Sequence, residues 1–298
     1  MDDTSLARPR EARASGRARR HPAFETVRRI GRSRSAVVGG ILLLVIGGAA
    51  VLAPLLSPFD PVKANQRFPL DPPSAAHLMG TDRFGRDILS RVLWGGRLSL
   101  SVGIVSVGIA ACVGVTLGLV SGYYGKRTDV VIMRLVDLLL AFPGILLALA
   151  IIATLGSSLQ NLMIAVGISA IPNYVRVTRG AVLSLKEQEF VLAARVVGCR
   201  DHTIIFRHIL PNVMASLTVL VTLGIAAAII TGSALSFLGL GIRPPTPEWG
   251  NMLAEGREFL EHAWWVAFFP GIAIMLAVLS INLLGDGLRD ALDPRLRL

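Results

Sequence analysis

Charged side chains and cysteines are scarce in this chain of 298 residues. Charged residues make up 17% of the sequence and hydrophobic residues 53%, and the mean hydropathy is +0.61. Because soluble domains carry roughly 25% charged residues, this composition excludes an ordinary soluble protein. The two cysteines fall at different depths, Cys112 in a long apolar stretch and Cys199 in a basic loop, so we expect no disulfide.

Groups that could perform chemistry inside a membrane are also few. All five histidines lie outside the long apolar stretches or at their edges, which removes the usual general base and the usual zinc ligand. The segment Gly122–Arg127 has an arginine where a phosphate-binding loop requires serine or threonine. We therefore expect a chain that is not an enzyme and that holds no metal, cofactor or nucleotide. If ATP drives it, ATP and Mg²⁺ are bound by another polypeptide.

Long stretches without any charged residue make up half of the chain. They cover residues 35–59, 98–125, 138–175, 208–242 and 262–285. About 20 apolar residues cross a bilayer as a helix, so each stretch can span once and the third can span twice. The sequence predicts an all-α polytopic membrane protein with about six transmembrane helices, near residues 36–56, 99–121, 133–155, 159–178, 215–238 and 264–284.

Lysines and arginines are distributed unevenly among the segments between these helices. With the N-terminus inside, the cytoplasmic segments hold 22 of the 30 basic residues and the outer segments hold 8. Because basic residues near span ends stay on the cytoplasmic side, we expect both termini in the cytoplasm. Residues 1–35 form a basic tail, for which contact with membrane lipid is favoured over nucleic acid. Residues 36–298 form the transmembrane domain, with outer loops at 57–98 and 239–263.

Two further features concern the helices themselves. Gly114, Gly118 and Gly122 recur every four residues, which predicts a stripe that allows close approach of a neighbouring helix. Prolines interrupt three spans and are expected to kink them or free carbonyl groups. These prolines are Pro143, Pro172 and Pro270.

Asp137 is the acidic residue that falls inside a predicted span. An ion-coupled carrier would need such a carboxylate in its pathway. We favour instead an interfacial ion pair with Arg134, three residues away on the same helix.

The cytoplasmic loop at residues 179–212 is too long and too patterned for a passive connector. Good helix formers run from Glu189 to Val197, and Gly198 follows as a natural C-terminal cap. Asp201 can cap a second helix that runs to Pro211. We therefore expect two short amphipathic helices that form a compact knob, here defined as residues 189–211, suited to push or pull on a soluble partner.

The knob has a set of small and apolar residues at a fixed spacing, namely Ala193, Ala194, Gly198, Leu210 and Pro211. With this spacing it resembles the EAA-type loop of ABC importer permeases. Leu192 and His208 depart from the motif, since they stand in place of its glutamate and its isoleucine. Glu189, one turn before Leu192, could supply the missing charge.

A second motif lies in the outer loop, within the sequence from His77 to Arg91. Its matching residues are Gly80, Thr81, Asp82, Gly85, Arg86, Asp87 and Arg91. Further matches lie at 133–143, 235–253 and 282–296. Together they cover about residues 37–298 and resemble the dipeptide/oligopeptide/nickel family of ABC importer permeases, specifically the C-type subunit.

The resemblance implies a type I ABC importer permease-like bundle in a bacterial or archaeal cytoplasmic membrane. Its partners would be a paralogous permease subunit in a heterodimer, two ABC ATPase subunits and an extracytoplasmic solute-binding protein. The knob would couple ATP hydrolysis in those subunits to alternating access for peptides or a related small solute, and the outer motif would lie near the pathway mouth. Two alternatives remain, an ion-coupled secondary transporter that acts without an ATPase and a membrane scaffold that transports nothing.

The outer-loop motif also invites a simple structural interpretation. Residues 80–97 would form an interfacial helix, with apolar side chains toward lipid and three arginines among the head groups. Those arginines are Arg86, Arg91 and Arg97. Trp249, Trp264 and Trp265 would anchor the later outer loop at the membrane surface.

Overall fold

The computed structural model describes residues 33–292, and the fold in that range is helical. Most of the predicted basic tail, residues 1–32, and the last six residues lie outside the described part. The first six helices are α1 (Arg34–Val51), α2 (Ala53–Leu56), α3 (Ile88–Tyr124), α4 (Lys126–Leu140), α5 (Gly144–Leu155) and α6 (Leu159–Leu185). They are followed by α7 (Glu189–Val196), α8 (Asp201–Thr203), a π-helix (Ile204–Ile209), α9 (Leu210–Phe237), α10 (Trp249–Gly256), a 3₁₀ turn (Arg257–Phe259) and α11 (Trp265–Leu292).

Four of these helices are long and apolar enough to cross a membrane, namely α1, α3, α9 and α11. A fifth crossing is possible if α4 and α5, which meet at a bend of 87°, count as one span. The all-α polytopic fold class is confirmed, and four or five of the expected crossings meet this criterion of length and composition. The remaining expected span, near residues 159–178, corresponds to α6, which has 27 residues and includes two asparagines and two arginines among its apolar residues.

Helix α3 is the longest element and connects the two ends of the molecule. Its 37 residues correspond to about 55 Å at 1.5 Å per residue, more than a bilayer core. Asp87 caps its first turn by accepting a hydrogen bond from the Ser90 N–H. The span expected at residues 99–121 is therefore the middle part of α3, which extends beyond it at both ends.

The glycine stripe of α3 brings this helix against α6, as predicted. A Cβ atom at Gly118 would lie 2.6 Å from the Cβ of Thr178, and one at Gly114 would lie 2.5 Å from the Cβ of Tyr174. Such contacts are too short for any side chain, so the two backbones approach closely only because glycine is present. The matching residues on α6 also recur every four positions, which allows the ridges of both helices to interdigitate.

The three prolines have different consequences. Pro143 precedes α5 and lies at the sharp bend after α4, so it interrupts the span as expected. Pro172 and Pro270 lie inside α6 and α11, which continue past them.

The predicted partner of Asp137 is wrong. Its carboxylate binds the guanidinium of Arg176 on α6 at 2.9 Å, and both side chains are more than half exposed. The prediction considered residues of the same helix only, whereas packing of α4 beside α6 presents a second arginine. Both cysteines are free, Cys112 exposed and Cys199 half-buried.

Candidate functional site

The first half of the knob is a helix with one buried face. In α7, Val191 is fully buried and Ala194 is 9% exposed. They pack with Val182 of α6 and with Ile204 and Ile209 of the following π-helix. Burial of these apolar side chains fixes α7 to the end of the bundle.

Gly198 ends this helix, as the sequence predicts. Its φ is +84°, in the left-handed region that glycine occupies without strain. Its N–H donates to the Arg195 carbonyl at 2.9 Å, and the Cys199 N–H donates to the Ala194 carbonyl at 3.0 Å. These bonds satisfy carbonyl groups that the helix end would leave free.

The second half of the knob differs from the prediction, because Asp201 does not cap a helix. Arg200 occupies the capping position, and Asp201 is the first residue of α8. The chain continues through the π-helix directly into α9, where Pro211 lies in the first turn. The Leu210 N–H donates to the Ile205 carbonyl, five residues back, and this wider helix precedes a proline that has no N–H to donate.

A tyrosine at the end of α3 holds both halves of the knob. The Tyr123 hydroxyl donates to the Asp201 carboxylate at 2.7 Å. The guanidinium of Arg195 on α7 lies 5.3 Å from the centroid of the same ring. Asp201 belongs to α8, so one buried ring connects the long helix to two separate elements of the knob.

An ion pair braces the adjoining helix ends. Two nitrogens of the Arg179 guanidinium on α6 each donate to the Asp129 carboxylate of α4 at 2.6 Å. The Ser121 hydroxyl on α3 donates to the same carboxylate. Three helices are therefore bonded together beside the knob.

The knob exposes several large apolar side chains, among charged ones such as Arg195, Arg200 and Arg207. Val196 is 88% exposed, Val197 82% and Phe206 65%. The predicted coupling residues Glu189, Ala193, Gly198 and Pro211 are exposed as well, whereas His208 and Leu210 are half-buried and Ala194 is buried. Leu192, which replaces the motif glutamate, is 43% exposed and adds to the apolar surface.

Two family models match the chain. The model described as "Binding-protein-dependent transport system inner membrane component" matches residues 114–298. The chain belongs to this family. The model described as "N-terminal TM domain of oligopeptide transport permease C" matches residues 22–73, which confirms the resemblance to the C-type subunit.

Curated relatives of this permease match almost end to end. The dipeptide transport system permease protein DppC of Alkalihalophilus pseudofirmus is 48% identical, with 93% of this chain and 91% of that protein covered. The di/tripeptide permease protein DppC of Pseudomonas aeruginosa is 46% identical with 93% of each covered. The glutathione permease protein GsiD of Pectobacterium atrosepticum is 48% identical with the same coverage.

A solved structure shares the fold of this permease. It is an inward-facing form of the MetNI methionine ABC transporter, with a TM-score of 0.55 and 17% identity. The match covers 68% of this chain and 96% of that one. The chain is thus a multi-pass inner membrane transport subunit, and its family supports the importer over the ion-coupled carrier and the scaffold.

The outer motif of the permease forms a buried network of charges, not a lipid-facing helix. The Arg86 Nε donates to Asp82 at 2.6 Å, and its Nη2 donates to Glu255 at 2.9 Å. Arg91 lies 3.3 Å from the same Glu255 oxygen and 3.6 Å from Asp82. Both arginines are at most 3% exposed, so their predicted place among lipid head groups is wrong.

The other motif residues build the frame of this network. Gly80 and Gly85 adopt positive φ angles of +75° and +69°, and a Cβ at either would collide with neighbouring backbone. Thr81 is buried and bonded to the Phe68 carbonyl. Asp87 accepts hydrogen bonds from Ser90 and lies 2.9 Å from the His77 Nδ1.

Sequence reasoning missed one acidic partner of the network, Glu255 of α10, and the nearby Glu248 that caps this helix. Glu255 receives both arginines, and the buried Glu248 caps α10 and accepts from the Ser99 hydroxyl at 3.0 Å. The signal available in the sequence was an acidic residue, Glu255, within the mostly apolar segment Trp249–Gly256. Trp249 and Trp265 are buried and are not surface anchors, whereas Trp264 is 49% exposed.

Proposed function

We propose that this permease forms the membrane path of an ATP-driven importer for peptides or a related small solute. Its knob would face the cytoplasm and receive the ATPase subunits, which bind ATP and Mg²⁺, so that both termini are cytoplasmic. A paralogous permease would complete the heterodimer, and a solute-binding protein would dock outside near the motif loop, residues 77–91. The names of the relatives, two of them peptide permeases and one a glutathione permease, support the choice of solute.

The observation that carries the proposal is the set of large apolar side chains that the knob exposes. Val196 and Val197 expose more than four-fifths of their surface on an element that Tyr123 and a buried cluster fix to the bundle. Exposed apolar patches mark sites where another protein or a membrane binds, and we assign this one to a protein because the knob would lie in the cytoplasm. The residues proposed to serve this contact are Glu189, Ala193, Ala194, Gly198, His208, Leu210 and Pro211.

The rigid attachment of the knob supports its role as a lever. The ATPase pair would bind one arrangement of the bundle more tightly than the other, and that difference in affinity alone shifts the population between them. Because the knob continues without a break into α9, a displacement of the knob also displaces this span. Hydrolysis in the partner subunits would then reset the bundle.

The test is co-purification of the assembled complex from membranes. Val196→Asp places a charge in the proposed contact without disturbing the buried face of α7, so we expect normal insertion and loss of the ATPase subunits from the eluate. Leu78→Asp is the matched control, since Leu78 is 65% exposed in the motif loop at the opposite end of α3. Full retention of the ATPase subunits by Val196→Asp would overturn the docking role.

A second assay addresses the solute and the energy source. Proteoliposomes that contain the whole complex and its binding protein should accumulate alanyl-alanine when ATP is supplied. Uptake that persists without ATP and follows an ion gradient would instead support the secondary transporter.

A further inference from the structure

A cavity of about 380 Å³ lies between α5, α6 and α9, against one residue of α3. This volume is within the range of roughly 300–1,000 Å³ that small-molecule sites occupy. Asn173 and Gly224, which line it, are close to the midpoints of α6 and α9, and Val107 is close to the midpoint of α3. The cavity is therefore at the centre of the membrane-spanning bundle, far from both the knob and the motif loop.

The walls of the cavity offer hydrogen-bonding groups but no charge. Its polar lining consists of Ser169, Asn173, Tyr174 and Thr231, and none of the described residues around it is acidic or basic. An ion or a strongly charged side chain would meet no counter-charge there, which is costly at membrane depth. The amide group of a peptide would find partners for its N–H and C=O, whereas counter-charges for its termini would come from outside this lining.

Asn173 is the most distinctive of these groups. It is an exposed carboxamide in the middle of α6, bordering the cavity. A carboxamide both donates and accepts hydrogen bonds, so it can match the C=O and N–H of a peptide group. Ser169, by contrast, donates its hydroxyl to the Val166 carbonyl one turn earlier.

Tyr174 and Gly224 are in direct contact in the wall of the cavity. The Tyr174 ring is buried and its hydroxyl lies 3.4 Å from the Leu220 carbonyl of α9. A Cβ atom at Gly224 would collide with that hydroxyl. Any larger residue at Gly224 would therefore displace the tyrosine ring from the wall.

We infer that this cavity is the part of the solute path that this subunit supplies, and that Asn173 exchanges hydrogen bonds with the amide groups of the solute in transit. The inference rests on the proposed function, since it names the site within the same path. The size and charge of the cavity do not select for any particular side chain of the solute. Asn173 would therefore recognise the peptide group, which all peptide solutes share.

The first test measures access of water to the cavity and does not depend on which solute is carried. In the full complex, with Cys112 and Cys199 replaced by alanine, Asn173→Cys is treated with a membrane-impermeant thiosulfonate reagent with and without ATP and vanadate. We expect the introduced thiol to react in one nucleotide condition much faster than in the other. Ile164→Cys is the control, because Ile164 lies on the opposite side of α6, borders no part of this cavity and should react slowly in both conditions.

The second test measures transport of alanyl-alanine by the same complex. Asn173→Leu should lower uptake roughly fivefold, as expected for one lost hydrogen bond, and Asn173→Gln should restore much of it because the carboxamide is retained. If wild-type uptake depends on ATP but the Asn173→Cys thiol stays unreactive in both conditions and Asn173→Leu transports normally, this inference fails while the proposed function stands. If the wild-type complex contains no ATPase subunit, the proposed function itself is contradicted.

Discussion

The Tyr123 hydroxyl donates a hydrogen bond of 2.7 Å to the Asp201 carboxylate and so connects the end of the long helix α3 to the start of α8. Tyr123 is 8% exposed, and the ring also supports the Arg195 guanidinium. The opposite end of α3 begins in the network that includes Arg91 and Glu255. One continuous helix therefore joins the contact at the knob to the buried charges near the motif loop.

Loss of the Tyr123 hydroxyl should weaken coupling and leave assembly intact. Tyr123→Phe removes one hydrogen bond to a charged group, about 1.5–3 kcal/mol, while the buried ring remains. We expect fewer solute molecules carried per ATP hydrolysed, measured as the ratio of uptake to phosphate release in proteoliposomes. Tyr124→Phe is the matched control, because Tyr124 is 49% exposed and adjacent. An unchanged ratio in Tyr123→Phe would show that this hydrogen bond does not contribute to the coupling of transport to ATP hydrolysis.

The sequence predicts much of this architecture because it depends on local rules. The apolar stretches, the glycine stripe of α3 and the cap at Gly198 each follow from residues close together in the chain. Two contacts that the sequence did not predict share one cause, since each involves a partner distant in sequence. Asp137 binds Arg176, and Asp201 binds Tyr123.

The buried network of the motif loop shows the same limit more clearly. Arg86 and Glu255 are 169 residues apart, and no periodicity within either segment indicates that they meet. Arginines at a membrane surface and arginines in a buried network have similar sequence patterns. Whether these arginines are buried depends on where α10 packs, and the packing of α10 depends on the whole bundle.

The close approach of α3 and α6 should be intolerant of side chains at the glycine stripe. Gly118→Val would force its new Cβ against Thr178, and overpacking of this kind costs about 1–3 kcal/mol. We expect a lower midpoint of thermal unfolding for the purified complex in detergent. Gly108→Val, on the same helix, is the control, since nothing lies within 4 Å of a Cβ built there. Equal midpoints for the two variants would contradict the packing described.

Removal of the charge on Glu255 should destabilise the motif loop. Glu255→Gln leaves Arg86 and Arg91 facing a neutral amide in a buried site, and breaking a buried pair costs about 3–5 kcal/mol. We expect faster cleavage of the loop at residues 57–87 in limited proteolysis. Glu258→Gln, an exposed neighbour on the same segment, should leave the cleavage rate unchanged. Identical rates for both variants would show that the network does not hold the loop.

Substitutions of Gly198 can show whether this position needs glycine for its backbone conformation or for the space that a partner protein occupies. Gly198→Leu places a bulky side chain at φ +84°, which costs about 1–2 kcal/mol, although a Cβ there would meet no other atom within 4 Å. We expect normal insertion with loss of transport. Gly198→Asn tolerates the left-handed conformation better and keeps a small side chain, so it should recover transport if strain is the cause.

The control for this position is Gly180→Leu, since Gly180 lies inside α6 with open space around its Cβ and no positive φ. Leucine has a higher helix propensity than glycine by nearly 1 kcal/mol, so this variant should insert and transport at least as well as the wild type. If Gly198→Asn is as inactive as Gly198→Leu while both retain a folded knob, the defect lies in the space that a partner needs at Gly198. Co-purification of the ATPase subunits with each variant decides between the two, because strain alone lowers transport without excluding the partner.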